Sequence, residues 1–290
     1  MSDRRNDRLP TSWADRIAAQ ARGELTPVEP RRAATVVLLR SHADAGEAVE
    51  AYLLRRRTSM AFAGGAYAYP GGAVDPRDSA PGLGWAGPDA EAWGERLGVP
   101  ADDARAIVCA AVRETFEESG VLLAGPDAAS VVADVSGEEW RAARAALEAH
   151  EISFGEFLAS RGLVLRSDLL GAWSRWITPE FEERRYDTWF FVATVPDGQR
   201  TAEVPGEADR VLWISPQAAA AHHAAGEFFM LPPTITTLRE LSSFTTPDAA
   251  LSAAKARAID PVLARAEIAD DGAIVVSWPG HPGLALRGHV

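Results

Sequence analysis

Glu114, Glu117 and Glu118 are the residues whose type and spacing point most directly to chemistry. They stand at i, i+3 and i+4, so on a helix their carboxylates share one face. The run Ala101–Ser119 is rich in Ala, Arg and Glu and favours helix. Asp102 or Asp103 suits its start, and Gly120 suits its end. The acidic cluster then falls in the last turn. There the helix dipole repels each carboxylate by ~0.3–1 kcal/mol, and Glu114 and Glu118 repel each other. Arg113 and Glu117 can pair, though in the weaker of the two orientations. A solvated acidic face is the bland account. A bound hard cation such as Mg²⁺, which takes carboxylate oxygens, reverses the sign of the penalty.

The elements around this helix can be read from pattern. Ala33–Leu39 is apolar enough for a strand buried on both faces. After a turn at Gly46, Val49–Arg57 forms the next strand and ends in Arg55-Arg56-Arg57. Arginines at a strand end are usually solvated. These precede the turn Ala63-Gly64-Gly65 and the step Tyr69-Pro70-Gly71-Gly72, read as a strand end entering a tight turn. Arg55 and Arg57 are therefore candidates to face phosphate. An Asp-, Gly- and Pro-rich insert follows, with a short helix at Asp89–Leu97. Val121–Leu123 reads as a strand directly after the acidic helix. Ser136–Arg161 is a second, helical insert. Trp173–Pro179 and Tyr186–Val195 read as paired strands, joined by the charged loop Glu180–Arg185. A strand within Glu207–Ser215 comes next, then helices at Pro216–Ala225, Pro232–Ser242 and Asp248–Ala258, and a short strand at Ala273–Trp278. Strands flanking one acidic helix, with late helices, give an α/β/α sandwich with a mixed sheet.

Composition narrows the class. The chain has 290 residues, 47% hydrophobic and 24% charged, ordinary for a globular protein. A net charge of −12 argues against nucleic acid or an anionic membrane as the main partner. Cys109 is the only cysteine, which excludes an internal disulfide and a multi-cysteine zinc site; it reads as core packing. No apolar run is long enough to span a bilayer, and Met1–Arg8 is charged, so a cytoplasmic location is expected. Met1–Pro10 reads as a polar tail. His222 and His223 are adjacent, so on a helix they diverge too far to share a metal.

Arg113-Glu114-Thr115-Phe116-Glu117-Glu118-Ser119-Gly120-Val121, with Gly71-Gly72 upstream, resembles the Nudix box. That box is a Gly, five residues, a Glu, seven residues, then Arg-Glu-aliphatic-any-Glu-Glu-any-Gly-aliphatic. The second half matches except for Thr115. The first half departs: an insert displaces the Gly, and Arg105 occupies the place of the first Glu. Leu53–Ser59, Gly65–Gly72, Trp176–Pro179, Arg184–Phe191, Trp213–Pro216 and Leu231–Thr234 are similar to the coenzyme A diphosphatase group of Nudix hydrolases, in particular the peroxisomal mammalian type with an insert inside its box. The likeness covers roughly residues 33–241. One coenzyme A signature position departs, with Ala61 where an Arg is expected.

The resemblance implies an α/β/α sandwich over residues 33–246, with inserts at about 73–103 and 136–165. Residues 1–32 then form a tail and short helix. Residues 247–290 form a closing helical segment, strand and tail that either packs on the domain or makes a contact in a homodimer. It implies a small-molecule substrate and hydrolysis of a nucleoside-linked diphosphate with Mg²⁺ or Mn²⁺. By residue match Glu117, Glu118, Glu114 and the carbonyl of Gly71 or Gly72 hold metal. Glu114 alternatively orients the water, and Arg113 braces a carboxylate. A further carboxylate comes from a distant loop: Glu180, Glu182, Glu183 or Glu207, with Glu207 preferred. Arg184 and Arg185 join Arg55 and Arg57 as substrate-binding candidates. Coenzyme A or acyl-coenzyme A leads as substrate. NADH, ADP-ribose or a nucleotide sugar is the alternative within the fold, and a binding module without turnover is the alternative outside catalysis.

Overall fold

The computed structural model describes residues 12–41, 49–58, 64–80, 82–202, 208–280 and 285–288. Met1–Pro10, Gly46, Ala61 and Glu207 lie outside that set. In chain order the elements are α1 (Ser12–Ala21), β1 (Arg31–Ser41), β2 (Val49–Arg56), β3 (Tyr67–Ala68), β4 (Gly71–Ala73), β5 (Trp85–Ala86), α2 (Ala90–Leu97), α3 (Ala101–Ser119), β6 (Ala124–Gly125), α4 (Glu138–Glu148), α5 (Phe154–Ser160), β7 (Val164–Arg166), β8 (Gly171–Ile177), β9 (Tyr186–Thr194), β10 (Ala208–Ile214), α6 (Pro216–Ala224), α7 (Pro232–Leu241), α8 (Pro247–Ala254), β11 (Pro261–Leu263), β12 (Arg265–Ile268), β13 (Ile274–Ser277) and β14 (Ala285–Gly288).

The main sheet is mixed, ordered β10-β2-β1-β9-β8-β11. β1 runs parallel to β9, antiparallel to β2 through residues 39–41, and antiparallel to β4 through residues 33–35. Beyond Ala51 strand β2 leaves β1 and pairs with β10 and β3. This splay opens the sheet beside Gly71–Ala73. The strand period sorts side chains between two cores. Ala34, Val36, Leu38 and Tyr52 face α3, whereas Val37, Leu39 and Leu53 face α6, α7 and α8. The expected α/β/α layering with a mixed sheet is therefore the observed one.

Several local readings change. Gly71–Ala73 is a strand on β1, not the entry to a turn. Helix α3 starts after Pro100 with no side-chain cap; Asp102 and Asp103 sit in its first turn, where they complement the dipole. The segment after Trp173–Ile177 and Tyr186–Thr194 also contributes to the sheet, because Pro261–Leu263 adds an edge strand parallel to β8. Residues 121–123 are buried but are not a strand. The backbone of Leu122 is served by Gln199, whose side-chain oxygen accepts from Leu122 N–H (2.8 Å) and whose amide donates to the carbonyls of Leu122 (2.9 Å) and Val132 (2.6 Å), while Leu123 O accepts from Arg166 N–H on β7 (3.1 Å). At Leu122 one buried amide stands in for a neighbouring strand. Gln199→Ala leaves these groups unpaired and is expected to lower unfolding free energy by roughly 2–4 kcal/mol, measured by urea denaturation with an unchanged m-value.

Candidate active site

Helix α3 delivers the acidic cluster at its C-terminal end, and Gly120 closes it in a left-handed conformation (φ 74°) that favours glycine. Burial here is unusual for charged groups. Arg113, Glu117 and Glu118 are 6%, 8% and 7% exposed. Buried charges require partners, and Arg113 supplies most of them. Its Nε and Nη2 donate to the two carboxylate oxygens of Asp78, both at 3.0 Å. Nη2 also donates to Ala73 O at 3.0 Å. Nη1 donates to Glu114 Oε1 at 2.7 Å and reaches both Glu117 oxygens at 3.3–3.4 Å. Burial pulls the Arg113 pKa down, but Glu114, Asp78 and Glu117 outweigh it and hold the guanidinium firmly charged.

Asp78 is the residue that the sequence reading misses. It lies six positions after Gly72, the interval the box assigns to its first Glu. The insert falls after it, between Asp78 and Arg113. Arg105, placed at that position by counting back from Arg113, instead donates to Leu83 O at 3.2 Å. Asp78 is only 2% exposed and is fixed by its own 3-10 turn, Pro76–Ser79, where it accepts from Asp75 N–H at 2.8 Å. Cys109, one helical turn before Arg113, donates its thiol to Asp78 at 3.6 Å; burial pushes that thiol's pKa well up and keeps it protonated. Counting forward from Gly72 finds this carboxylate.

Strand β4 completes the cluster. Gly71 N–H donates to Glu118 Oε2 at 2.8 Å. At Gly72 an added Cβ would stand 2.6 Å from Glu114 Cδ, and at Gly71 it would stand 2.6 Å from the backbone oxygen of Ala34, so glycine at 71 lets this strand lie close on β1 while Gly72 abuts the Glu114 carboxylate. Among the described residues no three His, Cys, Asp or Glu side chains converge into a ready-made metal cage. The carboxylates are instead gathered around a cation, the Arg113 guanidinium, and a backbone amide. The donor set still suits Mg²⁺ or Mn²⁺: hard oxygens on one helix end, a strand backbone pressed against them, and a compensated charge behind.

Glu117 shows the cost of this arrangement. Burial, with Glu114 and Asp78 adding to it and Arg113 opposing, pushes its pKa up to about 7. A raised carboxylate pKa means that the native state holds a proton the unfolded chain has released between pH ~4.5 and ~7. Stability without divalent metal should therefore fall across that window, by on the order of 2–3 kcal/mol, and stay level above it. A bound cation offsets the buried negative charge. Thermal unfolding with and without Mg²⁺ should show a larger Mg²⁺-induced rise in Tm at pH 8 than at pH 5.5.

The other predicted residues divide. Arg55 pairs with Asp209 on β10 at 2.6 Å, and Arg57 is exposed beyond the strand end. Arg184 is exposed, whereas Arg185 is buried with its guanidinium given to Thr178 O (3.1 Å) and Val28 O (2.7 Å). Arg185 is thus spent on tying the segment before β1 to the β8–β9 loop. Glu180 accepts from Gln20 (2.9 Å) and Glu183 from Arg16 (3.1 Å), and burial raises the Glu182 pKa. With Phe181 packed on Ile17 and Trp13, this loop docks α1. His222 bonds Glu227 and His223 bonds Phe228 O, so the two do not share a ligand. Glu207 itself lies outside the described residues.

The family model for the NUDT19 Nudix domain matches residues 88–241, just over half of the chain. The chain belongs to the NUDT19 Nudix domain family. The matched stretch begins after Gly72 and Asp78, so their membership of the site rests on the geometry above. Among solved structures, a NUDIX hydrolase from Alicyclobacillus acidocaldarius is 27% identical with a TM-score of 0.66, covering 81% of this chain and 99% of that one. This agrees with the Nudix fold. An acyl-coenzyme A diphosphatase NUDT19 from Gallus gallus is 28% identical over 238 residues, 68% of this chain and 62% of that protein. One from Xenopus laevis is 25% identical over 230 residues, 67% and 60% respectively. The chain thus spans about three-fifths of the length of these Nudix relatives. Among the described residues no helix is long and apolar enough to cross a membrane.

Proposed function

We propose that this Nudix chain is a Mg²⁺- or Mn²⁺-dependent hydrolase that cleaves the diphosphate of coenzyme A or acyl-coenzyme A, releasing 3′,5′-ADP and the phosphopantetheine part. The observation that carries the reading is the assembled box: Asp78, Arg113, Glu114 and Glu117 in one buried network, with Glu118 held on Gly71 N–H. A network this charged and this buried is expensive unless it serves a charged ligand. The names of the vertebrate relatives support the acyl-coenzyme A choice.

Glu117 and Glu118 would hold the metal, with Glu114 as a further ligand or as the group orienting the attacking water, and the carbonyl of Gly72 beside them. When bound, the metal supplies Lewis acidity toward the phosphoryl oxygens and shields the leaving phosphate. Arg113 does not reach for substrate. It fixes the carboxylates from behind, so that they need not reorganise as charge develops. Glu207 is the proposed distant carboxylate, accepting the proton of the water. The substrate choice is tested by comparing rates on coenzyme A, an acyl-coenzyme A, NADH and ADP-ribose. The proposal expects the two coenzyme A compounds to lead by kcat/KM. Preference for NADH or ADP-ribose would keep the site and overturn the substrate.

A further inference from the structure

Three arginines end strand β2, and strand geometry separates them. Successive side chains alternate between the faces of a sheet, and directly opposed residues of paired strands share a face. Tyr52 belongs to the core under α3, so Leu54 and Arg56 project to that same side. Leu53 belongs to the opposite core, and Arg55 follows it there. The partners agree: Arg55 faces Tyr67 and Arg210, and Tyr67 packs in the opposite core. Arg56 faces Ala208, the first described residue after the segment that holds Glu207.

Level and charge point the same way. Ala34 and Gly72 are directly opposed and lie on the α3 side, where Gly72 meets Glu114. Continuing the β1–β2 register, in which Leu39 faces Ala51, brings Arg56 level with Ala34 along the sheet. Because β2 splays from β1, the two are separated by roughly two or more strand spacings, on the order of 10–15 Å, a gap that a long side chain and a diphosphate together can span. Arg55 is neutralised by Asp209. Arg56 has no side-chain hydrogen bond or ion pair among the described residues, and its Nε is buried without a partner. A half-buried guanidinium whose Nε lacks a partner is costly, and it carries the fork that matches phosphate oxygens.

We infer that Arg56, rather than Arg55 or Arg57, is the substrate-binding arginine of this strand, holding a phosphate oxygen of the nucleoside-linked diphosphate across the cleft from the carboxylates. The inference rests on the hydrolase reading above for its substrate class. Because the Arg56 guanidinium makes no hydrogen bond or ion pair among the described residues, its replacement by Gln removes a ligand interaction and no internal polar one.

The test is Arg56→Gln and Arg56→Lys in the full chain. It uses steady-state kinetics on coenzyme A with Mg²⁺, thermal unfolding, and calorimetric binding of ADP with Mg²⁺ as a probe independent of turnover. Arg56→Gln should lower kcat/KM and ADP affinity by roughly 10–100-fold, as expected for loss of a charge-assisted hydrogen bond, with Tm unchanged. Arg56→Lys should recover part of the loss. Unchanged kinetics and ADP affinity in Arg56→Gln would overturn the assignment, as would a loss matched by a fall in Tm. Should the wild-type chain bind ADP, weakened by Arg56→Gln, yet cleave no diphosphate, the Arg56 site stands and the hydrolase reading falls.

Discussion

Glu117→Gln is expected to reduce diphosphate hydrolysis by roughly 10²–10³-fold, the scale of losing one electrostatic partner of a transferring phosphoryl group. The same substitution should not destabilise the metal-free protein at pH 8. Glu117 is buried, its pKa is pushed up to about 7, and Glu114 and Asp78 both oppose its charge. A neutral amide of the same shape relieves that cost while losing only the long contacts to Arg113, at 3.3–3.4 Å. Activity and stability therefore move in opposite directions, which a residue kept for folding would not do. Steady-state kinetics beside thermal melts at pH 8 and pH 5.5 measure both. The stability difference should shrink at the lower pH, where the wild-type carboxyl is protonated.

Arg113→Ala carries the second large effect, this time on the fold. Arg113 ties Asp78 on the 3-10 turn, Ala73 at the end of β4, and Glu114 and Glu117 on α3. Removing it leaves buried carboxylates without their cation, and such losses run to about 3–5 kcal/mol. Chemical denaturation should show this at neutral pH, with partial recovery as the carboxylates protonate at lower pH. Arg113→Lys should recover little, because one ammonium cannot reproduce the fork that spans three carboxylates and a carbonyl. A double-mutant cycle with Asp78→Asn should show strong coupling, since the pair shares a two-bond contact.

The parts of this molecule visible in its sequence are those whose determinants are local. Ala33–Leu39 announces a strand because its apolar run is continuous, and that strand sits between two cores. The acidic helix is legible from composition, from Gly120 and from the i, i+3, i+4 spacing. The features that escape depend on distant partners or on the direction of counting. Val121–Leu123 has the look of a strand, yet both backbone groups of Leu122, at its centre, pair with one side chain, Gln199, far along the chain. Pro261–Leu263 opens with a proline and is short, so it reads as a connection; only its edge position beside β8 admits it to the sheet. Asp78 is hidden when the box is counted backward from Arg113 through an insert. The space between Gly72 and Asp78 keeps the motif's interval, and the fold loops out the residues after Asp78. Arg55 and Arg57 draw attention as members of a basic run. Strand alternation and the ion pair with Asp209 direct attention to Arg56 instead.

Whether this carboxylate network cleaves a diphosphate is decided by phosphorus NMR of products formed from coenzyme A, with Mg²⁺ or Mn²⁺ and with Glu117→Gln as the control. A metal-dependent appearance of 3′,5′-ADP and 4′-phosphopantetheine, lost in the variant, is the expected result. Metal binding without cleavage of coenzyme A, NADH or ADP-ribose would contradict it, and would make the buried carboxylate network a binding site rather than a catalytic one.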